Sequence, residues 1–174
     1  SRQGDYPEGE LLVTAATDED GRLSYTFHDK GGQSVLIRRM NGSEALDTYY
    51  VYDACGLLRA VLPPKASAML ESQTGALDMS SATVADLTYL YRYDRRGRPV
   101  GVRRPGAQEV RYLYDDTDRP VFSQDGVQRR SGEWSYSIPD ALGREVLRGT
   151  CKTLGGANLA QSLLDGKTLV ARYD

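Results

Sequence analysis

Six aspartates in this 174-residue chain recur in one local pattern, and their carboxylates are the groups that could do chemistry. Two such acids held about 5 to 9 Å apart can hydrolyse glycosides. A catalytic pair occurs once in a chain, whereas these carboxylates return at the same position of a repeat. We therefore expect them to form turns, and we predict no enzymatic activity. The six are Asp18, Asp29, Asp53, Asp94, Asp115 and Asp140.

The residues that flank each aspartate repeat as well. Tyrosine precedes three of the aspartates, and glycine stands three positions later in five copies, with Asp118 in its place in the sixth. An aspartate that opens a type I turn can accept hydrogen bonds from backbone amides, and a glycine at the fourth position accepts a left-handed backbone. The pattern predicts a three-residue hairpin loop with a glycine bulge. The structural repeat comprises Tyr52, Asp53, Gly56, Tyr93, Asp94, Gly97, Tyr114, Asp115, Asp140 and Gly143.

Alternating side chains predict a β-strand on each side of these turns. Tyr89, Tyr91 and Tyr93 alternate before Asp94, which is typical of a strand with one aromatic face. After the turn, arginine at the fourth position and valine at the sixth recur in four copies each, and we expect them to share a strand face. Aspartate spacings of 11, 24, 21 and 25 residues fit one or two strands between turns. The predicted return turns are Asn41-Gly42, Pro63-Pro64, Pro105-Gly106 and Asp125-Gly126.

Two stretches are too long for hairpins alone, and their apolar residues recur at helical spacing. The first insertion lies at about 65–87, with Ser80 or Ser81 as the cap of its second helix. The second insertion lies at about 152–168, with a helix between Gly155-Gly156 and Asp165-Gly166. The apolar positions that carry these predictions are Ala66, Met69, Leu70, Val84 and Leu87 in the first insertion, and Leu159 and Leu163 in the second.

The sequence therefore predicts a mainly β fold of consecutive antiparallel hairpins, which form a curved open sheet or strip with two or three short helices. We expect residues 1–16 to be a leader or edge segment and residues 17–174 to be a single module. The chain stops on another tyrosine–aspartate pair, Tyr173-Asp174, so we expect it to be a fragment of a larger protein.

Several segments together resemble a known family, the YD-repeat proteins, which include Rhs proteins, shell-forming subunits of insecticidal toxin complexes and teneurins. From about Thr17 to Asp174 the chain resembles the uncharacterised domain that precedes the YD array in gut-bacterial Rhs-like proteins. Pro139, His28 and Asp118 depart from the repeat. The segments that carry the resemblance are Thr48–Asp53, Leu62–Pro64, Tyr91–Asp94, Arg104–Gly106, Tyr114–Arg119 and Gln124–Gly126.

The resemblance implies a strip of hairpins that spirals into a hollow shell around a C-terminal polypeptide, often a toxin. It also implies export from the cell or display on its surface. The partners would then be neighbouring YD repeats of the same polypeptide and the enclosed cargo domain. The family's autoproteolytic core motif is not found in this sequence, so no catalytic residue is carried over.

Composition excludes several other functions. The net charge of -2 leaves no cationic surplus for a nucleic-acid backbone, and no stretch reaches the roughly 18 apolar residues of a membrane span. Twelve tyrosines against two phenylalanines suit strands with one dry face. Cys55 and Cys151, the only cysteines, allow one bridge or two unpaired thiols.

Motifs for metals, cofactors and nucleophilic catalysis are incomplete, so we predict neither a metal nor a cofactor. The acidic runs at 18–20 and 115–118 lack the ligand set of an EF-hand. His28 is the only histidine, which excludes a site with several imidazoles. Ser131, Ser135 and Ser137 lie outside any nucleophile elbow, and Gly31-Gly32 lacks the lysine of a phosphate loop.

The leading hypothesis is a non-catalytic scaffold segment of a secreted or surface protein. The alternative is a recognition module for a surface glycan or a partner protein, with Tyr91, Arg103, Arg104 and Trp134 as the candidate surface. Arginine doublets such as Arg103-Arg104 also fit an ion-paired strand face. Unpaired strand edges tend to pair with a neighbour, so we expect self-association.

Overall fold

A computed structural model of the chain describes residues 6–71, 82–154 and 157–171. Within these ranges, eleven antiparallel strands form one open sheet, and their hydrogen-bonded order follows the order of the chain. This topology confirms the predicted mainly β fold of consecutive antiparallel hairpins. The strands are β1 (Leu12–Thr17), β2 (Leu23–His28), β3 (Ser34–Asn41), β4 (Glu44–Tyr52), β5 (Leu58–Leu62), β6 (Tyr89–Tyr93), β7 (Pro99–Arg103), β8 (Val110–Tyr114), β9 (Pro120–Gln124), β10 (Trp134–Pro139) and β11 (Glu145–Cys151).

Short helices interrupt the run of hairpins. Helices α1 (Pro64–Glu71) and α2 (Ala82–Ala85) lie between β5 and β6, and α3 (Gly126–Ser131) lies between β9 and β10. A separate two-stranded pair, β12 (Thr153–Leu154) with β13 (Ala157–Asn158), follows β11. In the part of the chain that the structure describes, no helix has the length and apolar character needed to cross a membrane.

Two local predictions need correction. The connection predicted as a simple return turn at Asp125-Gly126 contains α3, because Asp125 and Gln128 form a capping box that starts a helix there. The helix predicted around Leu159 and Leu163 is only a 3-10 turn over Gln161–Leu163. The predicted caps Ser80 and Ser81 and the pairs Gly155-Gly156 and Tyr173-Asp174 lie outside the described residues.

The chain forms two compact units, one of residues 1–90 with 104–106 and the other of residues 91–103 with 107–174. The first unit begins its sheet with β1, which starts at Leu12 and so includes residues that the sequence assigns to the edge segment. Its core lies where α1 covers β5: Ala66 of the helix is buried with Ala60 and Leu62 of the strand. Pro64 supplies the fixed φ that suits a first helical residue.

The second unit has its core along one row of side chains that crosses three strands. Leu113 of β8 pairs with Phe122 of β9, which pairs in turn with Tyr136 of β10. The rings of Phe122 and Tyr136 meet edge to face, with centroids 6.4 Å apart. Tyr136 then lies across Gly149 of β11, where a Cβ would come within 2.6 Å of the tyrosine hydroxyl. The row therefore ends on β11 at Gly149, which has no side chain to add to it.

Residues 157–171, which we call the covering segment, pack onto this row. Leu159 and Leu164 of the segment are buried with Val121 and Phe122 of β9. Backbone hydrogen bonds hold the segment further along, from Asp116 N–H to Lys167 C=O and from Ala171 N–H to Pro139 C=O, both at 2.9 Å. The buried leucines are five residues apart, a spacing that a continuous helix does not place on one face.

Candidate functional site

The six aspartate turns, which we call corners, share one hydrogen-bond geometry. In each corner, one carboxylate oxygen of the aspartate accepts the N–H groups of the second and fourth following residues, at 2.8–3.1 Å. The aspartate N–H donates to the carbonyl of the fourth residue at 2.8–3.0 Å. Each carboxylate therefore satisfies backbone donors that the tight loop would leave without partners.

The third residue of each loop has a left-handed backbone. Five corners place glycine there, with φ from 77° to 82°. In the sixth corner Asp118 adopts φ 61° and donates its N–H to the Asp115 carbonyl at 3.2 Å, as the glycines do in their own corners. Aspartate is among the few residues with a side chain that tolerate this region, so the loop keeps its shape despite the departure from the repeat.

In three corners an arginine four residues on holds the second carboxylate oxygen. The pairs are Arg98 with Asp94 at 2.7 Å, Arg119 with Asp115 at 2.6 Å and Arg144 with Asp140 at 2.6 Å. Sequence reasoning found these arginines but missed the pairing, because it treated them only as side chains along a strand face. At the first corner Arg22 pairs with Asp20 instead.

These hydrogen bonds lower the pKa of the three paired carboxyls below the ordinary value. Burial raises the pKa of Asp94 and Asp115, but the hydrogen bonds from their arginines and from backbone amides outweigh it. For Asp140 the hydrogen bond from Arg144 is the largest cause of the lowered pKa. All three carboxyls are thus ionised acceptors at neutral pH, and none is positioned to donate a proton.

The corners of the second unit lie side by side at the same end of the strands, because each joins an even-numbered strand to the next odd-numbered one. The Arg98 guanidinium reaches from the Asp94 corner to the carboxylate of Asp118 in the next corner, at 2.8 Å. Arg96 also contacts that carboxylate, at 3.2 Å. In the first unit Gln33 makes the equivalent link, from its Nε2 to the Gly56 carbonyl at 2.9 Å.

The tyrosine before the aspartate provides a second link between neighbouring corners. Tyr114 donates its hydroxyl to the carbonyl of Pro99, and Tyr52 donates its hydroxyl to the carbonyl of Ser34. In both cases the acceptor stands five residues after the aspartate of the preceding corner. Burial is the largest cause that raises the pKa of both tyrosines, which keeps the hydroxyls protonated as donors. Tyr114 also lies under the Arg98 guanidinium, 4.8 Å from its ring centroid.

The four candidate recognition residues are distributed over both units. Tyr91, Arg103 and Trp134 belong to the second unit, and Arg104 belongs to the first. Tyr91 and Arg103 are half-buried, and Arg104 is exposed. Trp134 is half-buried against the core row of the second unit.

A charged row crosses β6, β7 and β8 in the second unit, and sequence reasoning did not identify it. Glu109 accepts hydrogen bonds from Arg92 of β6 at 2.6 Å and from Arg111 of β8 at 3.2 Å. The side chains of Arg92 and Glu109 lie directly over Gly101 of β7, where an added Cβ would collide with the carboxylate. Burial raises the pKa of Glu109, but hydrogen bonds from the two arginines outweigh it and leave that pKa below its usual value.

The thiols and the acidic runs show no further arrangement for chemistry. Cys55 and Cys151 are unpaired; Cys55 is exposed, and burial raises the pKa of the Cys151 thiol. Among the residues that the structure describes, no group of three or more histidine, cysteine, aspartate and glutamate side chains is placed to hold a metal ion. The recurring corner is therefore the arrangement on which a functional proposal can rest.

Comparison with solved structures shows what this fold is similar to. The chain is similar to a chain in the crystal structure of TcdB2-TccC3, with a TM-score of 0.59 and 16% identity over 81% of this chain and 7% of that one. It is also similar to a chain in the crystal structure of TcdB2-TccC3-TEV, with a TM-score of 0.51 and 16% identity over 74% and 6%. No family model and no curated protein matches this chain. At this identity the similarity shows the fold alone, and the chain spans only about 7% of the longer chain's length.

Proposed function

We propose that this chain is a non-catalytic section of the wall in a larger YD-repeat protein of the Rhs type. The observation that carries the proposal is the repetition of one corner, six times, with the same carboxylate contacts. A repeated unit that contacts its neighbours through repeated links is typical of a scaffold whose stability is shared along the array. A catalytic carboxylate needs an oxygen left free for a substrate, whereas each paired aspartate uses both of its oxygens.

The mechanism of the wall follows from the links between corners. The hydroxyls of Tyr52 and Tyr114 link their corners to the preceding one, and the fourth-position side chains of Gln33 and Arg98 link theirs to the next one. These contacts lie at the turns, so they set the register of the strands without using the faces of the sheet. The faces remain available for covering elements, as α1 does in the first unit and the covering segment does in the second.

Within the larger protein, the wall encloses or displays a C-terminal domain, which in the Rhs proteins that this sequence resembles is often a toxin. The protein is secreted or held at the cell surface. Similarity of fold to a chain that is more than ten times longer supports a role as one section of a large object. The neighbouring repeats of the same polypeptide are the first partners of this chain.

Electron microscopy of the complete polypeptide that carries this chain tests the proposal. We expect the chain to form part of a continuous wall around density for another domain, and we expect that domain to resist added protease. If the chain instead forms a separate globular domain, with no sheet that continues from β1 or β11, the scaffold role is excluded. Protease treatment of intact producing cells and assay of their medium test the location.

Recognition of a glycan or partner protein through Tyr91, Arg103, Arg104 and Trp134 stays a prediction. Binding on a glycan array that is lost in Tyr91→Ala would support it. Tyr91 is half-buried, so the variant needs a matched check of its thermal unfolding. An array without signal would leave the wall as the remaining hypothesis.

A further inference from the structure

A cleft of about 220 Å³ in the first unit lies between α1 and the beginning of β4. Strand β5 stops pairing with β4 at Leu62, opposite Tyr49, because the next two residues are Pro63 and Pro64, which have no N–H to donate. Helix α1 then lies beside residues 44–47 of β4, where a longer β5 would have paired. The cleft is therefore bounded by a strand without a neighbour on one side and by the first turns of a helix.

The side of β4 that faces the cleft has unpaired backbone groups. Asn41 and Glu44 flank the two-residue loop between β3 and β4 and form its closing hydrogen-bonded pair. Hydrogen-bonded and non-hydrogen-bonded pairs alternate in an antiparallel ladder, so the N–H and C=O of Ala45 and Asp47 point away from β3. Neither residue has a backbone partner on that side among the described residues. Asp47 is only 4% exposed, so its backbone donor and acceptor are largely shielded from bulk water.

The first turn of α1 has free donors as well. Pro63 precedes the helix and has no polar side chain that could cap it. Ser67 N–H donates to the Pro63 carbonyl at 3.0 Å, but the N–H groups of Lys65 and Ala66 have no hydrogen-bond partner in the part of the chain that the structure describes. Free N–H groups at the start of a helix, together with the helix dipole, attract an anion. The Lys65 side chain lines the cleft without an ion pair to any described residue, and it adds a full positive charge.

The hydroxyl of Ser67 is a buried polar group without a partner. Ser67 lines the cleft and is only 3% exposed, and its hydroxyl makes no hydrogen bond within the described ranges. Thr88, in contrast, donates its buried hydroxyl to the Val84 carbonyl at 2.7 Å. A buried hydroxyl without a hydrogen bond is unfavourable. A ligand with an acceptor atom in the cleft would supply the partner that Ser67 lacks.

We infer that this cleft binds the C-terminal end of an extended peptide. The terminal carboxylate accepts from the N–H groups of Lys65 and Ala66 and from the Ser67 hydroxyl, and the peptide backbone pairs with the free side of β4. The Asp47 carboxylate does not oppose this charge, because Arg38 holds both of its oxygens at 2.8 and 2.7 Å. An inorganic anion would leave the strand unpaired, and the middle of a peptide would leave the helix donors unused. The C-terminus of a peptide satisfies both.

The lining also selects the last residues of the peptide. A cavity of about 150 Å³ holds one benzene-sized molecule, so the larger cleft has room for a carboxylate and a small apolar side chain. Ala45, Pro64 and Ala68 supply the apolar surface. Glu44 lines the cleft about 10 Å along the strand from Asp47, and its exposed carboxylate favours a lysine upstream of the terminal residue. The inference does not depend on the wall function, since it concerns α1 and β4 and not the corners.

Titration of the 174-residue chain with acetyl-Lys-Ala-Val, which ends in a free carboxylate, tests the inference by amide NMR shifts. We expect saturable binding, with shifts at the amides of Ala45, Asp47, Lys65 and Ser67. The same peptide with a C-terminal amide should bind about tenfold more weakly or worse, because the charge-assisted hydrogen bonds are lost. Acetyl-Val carries the carboxylate but is too short to pair along β4, so it should bind more weakly than the tripeptide.

Ser67→Ala separates a contact with the ligand from a role in folding. This variant should weaken binding of acetyl-Lys-Ala-Val about tenfold, because the carboxylate loses a donor. The midpoint of thermal unfolding of the free chain should stay the same or rise, because the hydroxyl has no partner to lose and alanine favours a helix. Ser43→Ala is the matched control, since Ser43 is exposed in the loop between β3 and β4 and does not line the cleft.

Several results would overturn the inference. They are the absence of shifts with acetyl-Lys-Ala-Val at about 5 mM, equal binding of the amidated peptide or of acetyl-Val, shifts that lie away from α1 and β4, and unchanged binding in Ser67→Ala. A lower unfolding midpoint of the free Ser67→Ala chain would show that the hydroxyl serves the fold and not a ligand. The wall proposal is unaffected by any of these outcomes, because microscopy of the complete polypeptide tests it separately.

Discussion

The hydroxyl of Tyr114 donates a 2.9 Å hydrogen bond to the backbone carbonyl of Pro99, and this contact ties the Asp115 corner to the Asp94 corner. Tyr52 makes the same contact with Ser34. The tyrosine of the repeated tyrosine–aspartate pair therefore has a polar role beside its apolar one. Its hydroxyl makes a contact at these two positions that a phenylalanine side chain could not make.

Tyr114→Phe is expected to lower the free energy of unfolding by about 1 kcal/mol, because the Pro99 carbonyl loses its donor in a partly buried place. Tyr112→Phe is the matched control, since the structure shows no hydrogen bond from the Tyr112 hydroxyl among the described residues. Urea denaturation followed by circular dichroism measures both variants. Equal stability of the two variants would show that the contact does not matter.

Asp115→Asn is expected to destabilise the chain more than Asp18→Asn. Both asparagines keep an oxygen that can accept the two backbone amides of the corner. Only Asp115 loses a partner in Arg119, and its side chain is fully buried. We expect a loss of about 2–3 kcal/mol at Asp115 and less than about 1 kcal/mol at Asp18, from urea denaturation of each variant. A larger loss at Asp18 would contradict the role given to the arginine.

Acid is expected to destabilise the second unit. The pKa values of Asp94, Asp115 and Asp140 are lower in the folded chain than in the unfolded one, so the unfolded chain binds more protons in acid. The free energy of unfolding is therefore highest above the unfolded pKa of about 4 and falls as the pH drops toward the lower folded values. Denaturation curves from pH 7 to pH 3 measure the slope.

Arg119→Gln provides the control for that pH dependence. Without the guanidinium, the folded pKa of Asp115 moves back toward its ordinary value, and the acid-induced loss becomes smaller than in the wild type. An unchanged slope in this variant would mean that other carboxyls carry the effect. Stability that rises between pH 5 and pH 3 would contradict the sign itself.

Gly101→Ala is expected to cost about 1 kcal/mol or less, because the new methyl group meets the flexible end of the Glu109 side chain and displaces the charged row from β7. The double variant Gly101→Ala with Glu109→Ala removes the obstruction. We expect the two losses to be far from additive, which a double-mutant cycle by thermal or urea unfolding measures. Additive losses would show that the row does not lie on the glycine.

Self-association through β1 is expected, because this strand ends the strand order and all six of its residues are exposed. Sedimentation velocity over a range of concentrations should show reversible association. Val13→Lys should reduce it, since a charged edge discourages strand pairing. A wild-type chain that stays monomeric at high concentration would exclude this prediction.

The corner was predictable because all its contacts lie within five residues. The aspartate, the loop and the glycine carry a known turn chemistry, so the hairpins and their order followed from spacing alone. The ion pair of Arg98 with Asp94 is equally local. The sequence allows such an arginine either to lie along the strand face or to pair with the aspartate, and only the folded structure shows which one occurs. The capping box of Asp125 and Gln128 was also readable, but the neighbouring glycine suggested a turn more strongly.

The covering segment was not predictable, because its partners are far away in sequence. Leu164 is completely buried against a row that begins at Leu113, and no local pattern indicates that contact. The charged row depends in the same way on the register of β6, β7 and β8, which places Gly101 beneath Arg92 and Glu109. Such contacts depend on strand pairing and are not properties of any short segment.

Gln161 accepts the Tyr114 N–H at 2.9 Å and donates to the Tyr114 C=O at 2.7 Å. Its side-chain amide thus acts toward β8 as the peptide group of an adjoining strand would. Gln161 and Tyr114 are 47 positions apart in the sequence. During synthesis, the end of β8 therefore lacks the hydrogen bonds to Gln161 until the covering segment has been made. Contacts of this length slow folding. The second unit therefore cannot complete its folding before the covering segment has been synthesised, and in a nascent chain that ends before Gln161 the N–H and C=O of Tyr114 lack these two partners.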